Sequence, residues 1–528
     1  MKRMIVMALG VLSVAGSQTL RWAYRHGSLA GIARAVVCAP DSNIYAAGTS
    51  YDTLFLPQMT VVGLTQTGGQ RWDYRRLGMI AWPSQPDFVR NPLACGTDGN
   101  LYVAGAAIDT AGSMLEKYDF TVFSLTAQGQ ERWVYNYGGP IDSGGFAQAV
   151  TRGSDGNVYA AGWCRASGGD MDLTVVGLTP AGQERWVYRY PNPGGSFEMA
   201  IGVACGADGN VYAAGIVGQD TAPRFTVVSL NPGGTVRWVY IYDQPGTTRG
   251  YAMALTPRAD GDICAAGCVE GAGGDADIAV VCLTQTGTER WTYVYNGPDG
   301  ADDIAYSLAR AGDGTVYASG FSADSGGLYD IAVVSLTSSG GERWVYRYRT
   351  DYAQMIDYPL ALGADGNVYA GGTTYADSTE EDLAVVSLTT SGGERWVYRY
   401  NGPDNGSDAA MSLAFGADGN IYAAGFSGFQ FIVISLDPAL GIEEKPSVVV
   451  REARAPTLVR DVLWFSSAPD PRPRASDCLL DIGGRKVADL EPGANDVSHL
   501  ASGVYFVRSE PSAASREPSA VTKVILSR

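Results

Sequence analysis

Asp302-Asp-Ile-Ala-Tyr-Ser-Leu-Ala-Arg-Ala-Gly-Asp-Gly-Thr-Val-Tyr-Ala-Ser-Gly320, then Ile331-Ala-Val-Val-Ser-Leu336, then Glu342-Arg-Trp-Val-Tyr-Arg-Tyr348, reads as one unit of four short strands. Ile304 to Ala309 is an apolar run, and Asp313-Gly314 supplies a tight turn into a second run, Val316 to Gly320. A loop rich in Gly and Ser leads to the third, and Ser338-Ser-Gly-Gly341 turns the chain into the fourth. Short runs separated by glycine turns predict an antiparallel meander. Period-2 alternation sets Trp344, Tyr346 and Tyr348 on one face of the last strand and Arg343, Val345 and Arg347 on the other. An aromatic face of that kind needs a second sheet to cover it.

The cover comes from repetition. The Arg-Trp pair recurs at Trp22, Trp72, Trp133, Trp186, Trp238, Trp291, Trp344 and Trp396, mostly 52 or 53 residues apart, with early gaps of 50 and 61. Asp155-Gly-Asn-Val-Tyr-Ala-Ala-Gly162 keeps step with it, with counterparts opening at Asp41, Asp98, Asp208, Asp260, Asp313, Asp365 and Asp418. A fixed period near fifty means an array of one supersecondary unit. Four-stranded sheets repeated in this way predict an all-β fold, an eight-bladed β-propeller of four-stranded blades. The phase of the chain points to closure. It opens on a lone fourth strand, Leu20-Arg-Trp-Ala-Tyr24, and its last unit stops after a third, Phe431-Ile-Val-Ile-Ser-Leu436. Pairing those ends completes the eighth blade and leaves no open edge.

Within this frame the tryptophans read as inter-sheet packing, and Asp-Gly-Asn as a turn device in which Gly takes positive φ. Asp119, Asp172, Asp277, Asp330 and Asp382 share one place, just before the third strand. Their expected role is to cap a loop through side-chain-to-backbone hydrogen bonds.

Gly206-Ala-Asp-Gly-Asn-Val-Tyr-Ala-Ala-Gly215 followed by Phe225-Thr-Val-Val-Ser-Leu-Asn-Pro-Gly-Gly-Thr-Val-Arg-Trp238 resembles the bacterial SBBP-type beta-propeller repeat family. The resemblance runs over about residues 20–437; a weaker one is to pyrroloquinoline-quinone-type propellers, which share a Thr/Gly turn before Trp. The SBBP family implies exported or surface proteins and no common reaction or catalytic residue.

The repeat stops after Asp437-Pro438. Gly441-Ile-Glu-Glu-Lys-Pro446 begins a linker, residues 441–456. Apolar runs at Thr457–Phe465, Cys478–Ile482, Val504–Val507 and Val521–Leu526, separated by turn residues, predict a small Ig-like β-sandwich over 457–528. Leu479-Leu-Asp-Ile-Gly-Gly-Arg-Lys-Val487, Gly503-Val-Tyr-Phe-Val507 and Lys523-Val-Ile-Leu526 resemble a type IX secretion C-terminal sorting domain. Ala468-Pro-Asp-Pro471 stands where that family carries Asn-Pro. The resemblance implies secretion machinery as a partner of this segment. At the other end, Lys2-Arg3, the apolar run Met4 to Val14 and the small residues Ala15-Gly16-Ser17 have the pattern of a signal peptide over 1–17. That run is too short to span a bilayer, so no transmembrane segment is expected after cleavage. The repeat array then occupies 18–440, and the expected location is secreted or cell-surface.

The charge is uneven. Of the net −17, residues 441–528 carry 12 basic and 12 acidic side chains, whereas residues 4–440 carry 24 basic against 43 acidic, a balance of −19. So acidic a surface repels phosphate backbones, and no nucleic-acid partner is expected. The eight cysteines lack a framework pattern, although Cys264 and Cys282 would meet across neighbouring strands and could cross-link.

Chemistry is sparsely written. Only two histidines exist, His26 and His499, in different domains, so a nucleophile system in the repeats would rest on His26 alone. Carboxylate pairs such as Asp302-Asp303 offer acid and base groups for glycan cleavage, the alternative reading. No cofactor is expected; the loops Asp299-Gly-Ala-Asp-Asp303 and Pro403-Asp-Asn-Gly-Ser-Asp408 could supply oxygen ligands to Ca2+ but lack EF-hand spacing. Trp82, in the loop 77–92, and Trp163 belong to no repeat position and read as off-pattern loop aromatics. With Asp302 and Asp303 they are the candidate ligand contacts; no catalytic or metal residue is assigned. The expected activity is non-catalytic binding of a polysaccharide or a surface protein.

Overall fold

The computed structural model describes residues 20–438 apart from 29, 81–90, 110–116, 141–143, 167–168, 192–196, 220–221, 259, 272, 351–356 and 376–380, together with the strands lying between 457 and 526. The expected signal peptide, the linker 441–456, Trp82 and Ala468-Pro-Asp-Pro471 lie outside the described residues. Every regular element among the described residues is a β-strand, and the chain divides into two compact regions, Met1–Glu443 and Glu444–Arg528.

In the first region the repeats fold as antiparallel quartets that resemble propeller blades. Asp303–Arg310, Val316–Ala323, Tyr329–Leu336 and Glu342–Tyr348 are neighbours in that order, with registers such as Tyr317↔Ser335 and Ser335↔Trp344. Five other four-stranded sheets have the same form, and an eight-stranded sheet holds the first two repeats. Those two are joined because Gln70–Met79 runs on to pair Gly78 with Ala107 and Met79 with Ala106. The expected loop 77–92 therefore begins as strand. Gly78 is required there: a Cβ would lie 2.3 Å from the Ala106 carbonyl oxygen, and its φ is +141°. The first strand among the described residues, Leu20–Arg25, pairs with Gln430–Leu436 in the expected antiparallel sense, Ala23 opposite Ile434.

Each quartet buries one face against the next. Tyr45 and Val61 of the first repeat meet Leu101 and Val103 of the second; Val228 of the fourth meets Ala161 and Val175 of the third. The last repeat returns to the first, with Phe431 and Val433 against Val36, Ala46 and Val62. Alanines and glycines in the second strands let the backbones approach, as at Ala213-Ala214-Gly215. Cys264 and Cys282 face each other across their strand pair and are disulfide-bonded, with Cα atoms 4.1 Å apart.

Two bulges recur in the quartets. On the outer strand the register slips between Leu336↔Glu342 and Ser335↔Trp344, which makes Arg343 the extra residue. The same slip falls on Arg132, Arg185, Arg237, Arg290 and Arg395. On the first strand it falls on Arg34, Gln148, Ile201, Met253, Tyr306 and Met411. A bulge re-aims a side chain relative to the regular pleat. Outside, it turns the tryptophan onto its neighbour. Inside, it buries a different side chain in each repeat.

In the second region Thr457–Val459, Ala520–Leu526, Gly503–Ser509, Cys478–Leu480 and Lys486–Asp489 form one sheet in that order, the first pair parallel. Val462–Phe465 and Gly493–Asp496 form a separate antiparallel pair.

Candidate functional site

The outer strands account for the tryptophans. Seven of them donate the indole N–H to a carbonyl in the turn of the following repeat: Trp22 to Gln66, Trp72 to Ala127, Trp133 to Pro180, Trp186 to Pro232, Trp238 to Gln285, Trp291 to Ser338 and Trp344 to Thr390, at 2.8–3.2 Å. Under each ring lies a turn glycine with positive φ; at Gly234 (φ +83°) a Cβ would come within 2.5 Å of Trp186. Within its own quartet the ring packs on the tyrosine of the Asp-Gly-Asn strand in six of these seven cases, as Trp186 does on Tyr159 at 5.8 Å between centroids, while in the quartet of Trp291 Cys264 holds the tyrosine's place. The Tyr159 hydroxyl donates to Asp155 at 2.8 Å, and Asp155 also accepts from the Asn157 backbone N–H at 3.0 Å. The repeated Asp, Tyr, Arg and Trp are thus one structural device.

At the opposite rim, where fourth strands end and first strands begin, neighbouring repeats meet in polar junctions. Asp303 opens its strand opposite Ser322, is 0% exposed, and accepts the Gly297 N–H at 2.5 Å. Asp277 and Tyr295 approach from the preceding repeat, and Arg347 comes from the same repeat, paired with Asp330 at 3.0 Å. Asp408 repeats the arrangement. It lies opposite Ser427, is 0% exposed and accepts the Gly402 N–H at 2.6 Å, while Arg25 donates to Ser427 at 2.6 Å. Asp382 and Tyr400 complete the second set. Glycine is needed beside each: a Cβ on Gly402 would lie 2.1 Å from the Ser427 hydroxyl, and on Gly297 2.6 Å from that of Ser322.

Burial pushes both carboxyls up to about 6; the serine hydroxyl and the glycine amide pull them partly back, and Asp277 or Asp382 adds to the rise. Such a group is a proton donor in the mildly acidic range, but each is sealed between sheets. Asp302 differs from its neighbour. It is exposed and accepts the Ala276 N–H at 2.9 Å, tying two repeats together.

Of the aspartates expected to cap a loop, Asp330 is reached by the backbone N–H of Thr350, just past its repeat's fourth strand. These aspartates lie at or within the third strand, where Asp172 binds Arg189 and Asp330 binds Arg347 of the adjoining fourth strand. Trp163 is likewise not on a loop. It sits in Val158–Arg165 opposite Phe146, 8% exposed, within the apolar cluster that holds Met199 and Ile201. The strand simply runs three residues past Gly162, and Ile216, Cys268 and Phe321 hold the same place in other repeats.

His26 is 2% exposed and stands between Ser28 and Asp73. A guanidinium nitrogen of Arg75 lies 3.1 Å from Nε2, and since guanidinium can only donate, Nε2 accepts and Nδ1–H donates to Ser28 at 3.0 Å. The Ser28 hydroxyl in turn donates to the Ala30 carbonyl at 3.0 Å. Proton direction runs away from the histidine's basic nitrogen, so the trio does not activate the serine. Burial first, then Arg75, lowers the His26 pKa, against the pull of Asp73.

The inner bulge residues fill the middle of the array. Arg34 pairs with Asp357 at 3.0 Å, the two being 5% and 4% exposed, and lies 3.7 Å from the Met411 sulfur. The Tyr306 ring packs at a tilt against Phe321 and Tyr358, with centroids 6.0 and 5.9 Å away. Sequence reasoning missed this set, although an Ala-x-(Ala/Ser/Gly) frame brackets each one, as in Ala33-Arg34-Ala35, Ala147-Gln148-Ala149 and Ala410-Met411-Ser412.

Apolar side chains are exposed where second strands pass to third strands in three consecutive repeats, at Tyr375 (47%), which ends its strand, at Phe429 (83%) and at the trio Leu54 (75%), Phe55 (71%) and Leu56 (43%); Val236, Val239, Ile241 and Val294 are exposed on fourth strands. Among the described residues, no group of three or more His, Cys, Asp or Glu side chains gathers for a metal. No helix among them is long and apolar enough to cross a membrane.

No family model and no curated protein matches the sequence. Solved structures similar to this chain include the WD40 beta propeller domain of Doa1, at 12% identity, TM-score 0.38, covering 80% of this chain and 97% of that one. The polysaccharide lyase Uly1 matches at 11% identity and TM-score 0.41, covering 76% and 89%. A eukaryotic initiation factor matches at 9% and 0.41, covering 73% and 89%.

Proposed function

We propose that residues 18–440 form an eight-bladed β-propeller closed by the N-terminal strand, and that this propeller is a non-catalytic binding module exported to the cell surface or the medium. In this reading residues 1–17 are the signal peptide. Residues 457–528 are an Ig-like sandwich of the sorting-domain kind that engages secretion machinery. The observation that carries the binding role is the contrast between buried chemistry and exposed apolar turns. Asp303, Asp408 and His26 are committed to junctions between repeats, while Tyr375, Phe429 and Leu54 to Leu56 face solvent. Large apolar side chains gathered on one rim mark interaction surfaces. A polysaccharide or a surface protein is the partner class.

The test passes the purified chain over a polysaccharide array and a panel of surface proteins, recording retained protein and released product together. Retention without product supports the module. The second reading, a carbohydrate-active hydrolase or lyase, is favoured by one observation, the carboxyls of Asp303 and Asp408 held near 6. It requires product release that disappears in D303N or D408N.

A further inference from the structure

Asp52-Thr-Leu-Phe-Leu56 joins the second and third strands of the first repeat. The Asp52 N–H donates to the Leu56 carbonyl at 3.1 Å, and the Phe55 N–H to the Asp52 carbonyl at 3.0 Å. The same turn recurs in the third and sixth repeats. Ala166 bonds Asp170 and Gly169 bonds Ala166; Asp324 bonds Leu328 and Gly327 bonds Asp324. In the fifth repeat, Gly274 bonds Gly271. The fourth residue of this turn takes positive φ, +88° at Gly169, +91° at Gly274 and +79° at Gly327. In the first repeat that residue is Phe55, at +60°.

A bulky side chain in the left-handed region is strained, and glycine serves the turn in the three other repeats. Phe55 is 71% exposed and Leu54, where the sixth repeat has Gly326, is 75% exposed, so neither recovers that cost by burial within the chain. The tip is also held firm. Asp52 accepts from the Leu54 and Leu56 backbone N–H groups at 2.8 and 2.9 Å and from Gln58 at 3.3 Å.

We propose that this tip is a docking knuckle for a protein partner that offers an apolar pocket bordered by basic residues. The proposal rests on the binding reading above and names the kind of partner. The tip is convex and presents aliphatic side chains beside the aromatic one, while its carboxylate is already engaged with its own backbone; a saccharide would find few polar groups to bond. The −19 balance of residues 4–440 repels anionic lipid and selects a basic border on the partner. Phe429 extends the apolar surface from the eighth repeat, where its carbonyl accepts the Gly31 N–H at 2.7 Å.

The test uses the full chain and two labelled amphipathic helical peptides, one of Leu, Phe and Lys and its twin with Glu for Lys, read by fluorescence anisotropy. The variant carries L54G and F55G, which restores the Gly-Gly of the sixth repeat and keeps the turn. The Lys peptide is expected to bind the native chain, with affinity falling as salt rises, and to bind the variant and the Glu twin at least tenfold more weakly. The variant's thermal midpoint should equal or exceed the native one. Failure of the Lys peptide to bind, or equal affinity for the variant, overturns the proposal. So does co-flotation of the native chain alone with phosphatidylcholine vesicles, which assigns the tip to a bilayer, or a native dimer that the variant dissolves. Retention on the polysaccharide array that persists in the variant would leave the binding reading standing and remove this one.

Discussion

The outer and inner strands of the quartets carry the same irregularity and put it to opposite uses. At the outer bulge the extra residue is arginine in repeat after repeat, followed by tryptophan. At the inner bulge it is Arg34, Gln148, Ile201, Met253, Tyr306 or Met411. Seven of the eight outer sites meet a turn glycine and a carbonyl of the following repeat, so one solution serves all seven. The inner residues face a common space, and close packing requires their shapes to differ. Repetition in sequence therefore marks interfaces that are local and equivalent, while variation inside a repeated frame marks a place where the copies converge.

Substitutions can break or sharpen this contrast. The largest effect is expected in the middle. Arg34→Met leaves the Asp357 carboxylate, 4% exposed, without its 3.0 Å partner, and should cost about 3–5 kcal/mol. Arg34→Met with Asp357→Leu should recover part of that, since the paired replacement removes both members of the ion pair. Urea unfolding of the three proteins reads the result.

The outer belt allows no such exchange. Trp186→Ala removes the ring over Gly234, the contact with Tyr159 and the 3.0 Å bond to Pro232, and should cost about 3 kcal/mol. Trp186→Phe keeps part of the ring contact and should lose about 1 kcal/mol through the vacated carbonyl partner. Equal losses for the two variants in thermal unfolding would contradict the role given to the ring contact, and an unchanged Trp186→Phe would contradict the role given to the indole N–H.

The junction carboxyls are expected to act next, through pH. Asp303 and Asp408, held at about 6, keep protons that the unfolded chain releases near pH 4. Their contribution is full below the unfolded pKa and is lost as pH rises through 6, by at most about 3 kcal/mol per site. The turn aspartates work the other way. Asp155, Asp365 and Asp418 are held below the ordinary range by hydrogen bonds from their Asn and Tyr partners, although desolvation pulls each upward. They stabilise above pH 4 and fail below it. His26, with its lowered pKa, also withdraws stability below its unfolded value. Comparing native chain with D303N/D408N isolates the junctions: the native chain should lose stability relative to the variant between pH 4 and pH 7. A constant difference would remove the pH role.

The smallest effect is expected at the turn itself. Gly169→Ala, at φ +88° with open space around it, should cost only the φ strain, about 1–2 kcal/mol, whereas Gly234→Ala, at φ +83° with Trp186 within 2.5 Å of a Cβ, should cost more than that strain.

Much of the architecture was legible because it repeats. The four-strand order, the Asp-Gly-Asn turns and the pairing of Leu20–Arg25 with Gln430–Leu436 follow from period, phase and turn chemistry. What escaped was set by bulges and by the ends of strands. Alternation counted through an unseen bulge misplaces a face, so Arg34 and its counterparts were not read as core. Trp163 looked like a loop residue because the repeat motif ends at Gly162, while the strand continues to Arg165. Asp303 and Asp302 are adjacent in sequence, yet one is buried and the other solvated, because the first strand begins between them. Phe55 emerges only when its φ is compared with that of Gly327.

The central claim, that the chemistry is structural and the exposed rim binds, meets its most direct test in one experiment. Native chain and D303N/D408N are applied side by side to the polysaccharide array and the surface-protein panel, with retained protein and released product measured on each spot. The account predicts retention, no product, and the same binding pattern for both proteins. Product formed by the native chain and lost in the variant would contradict it.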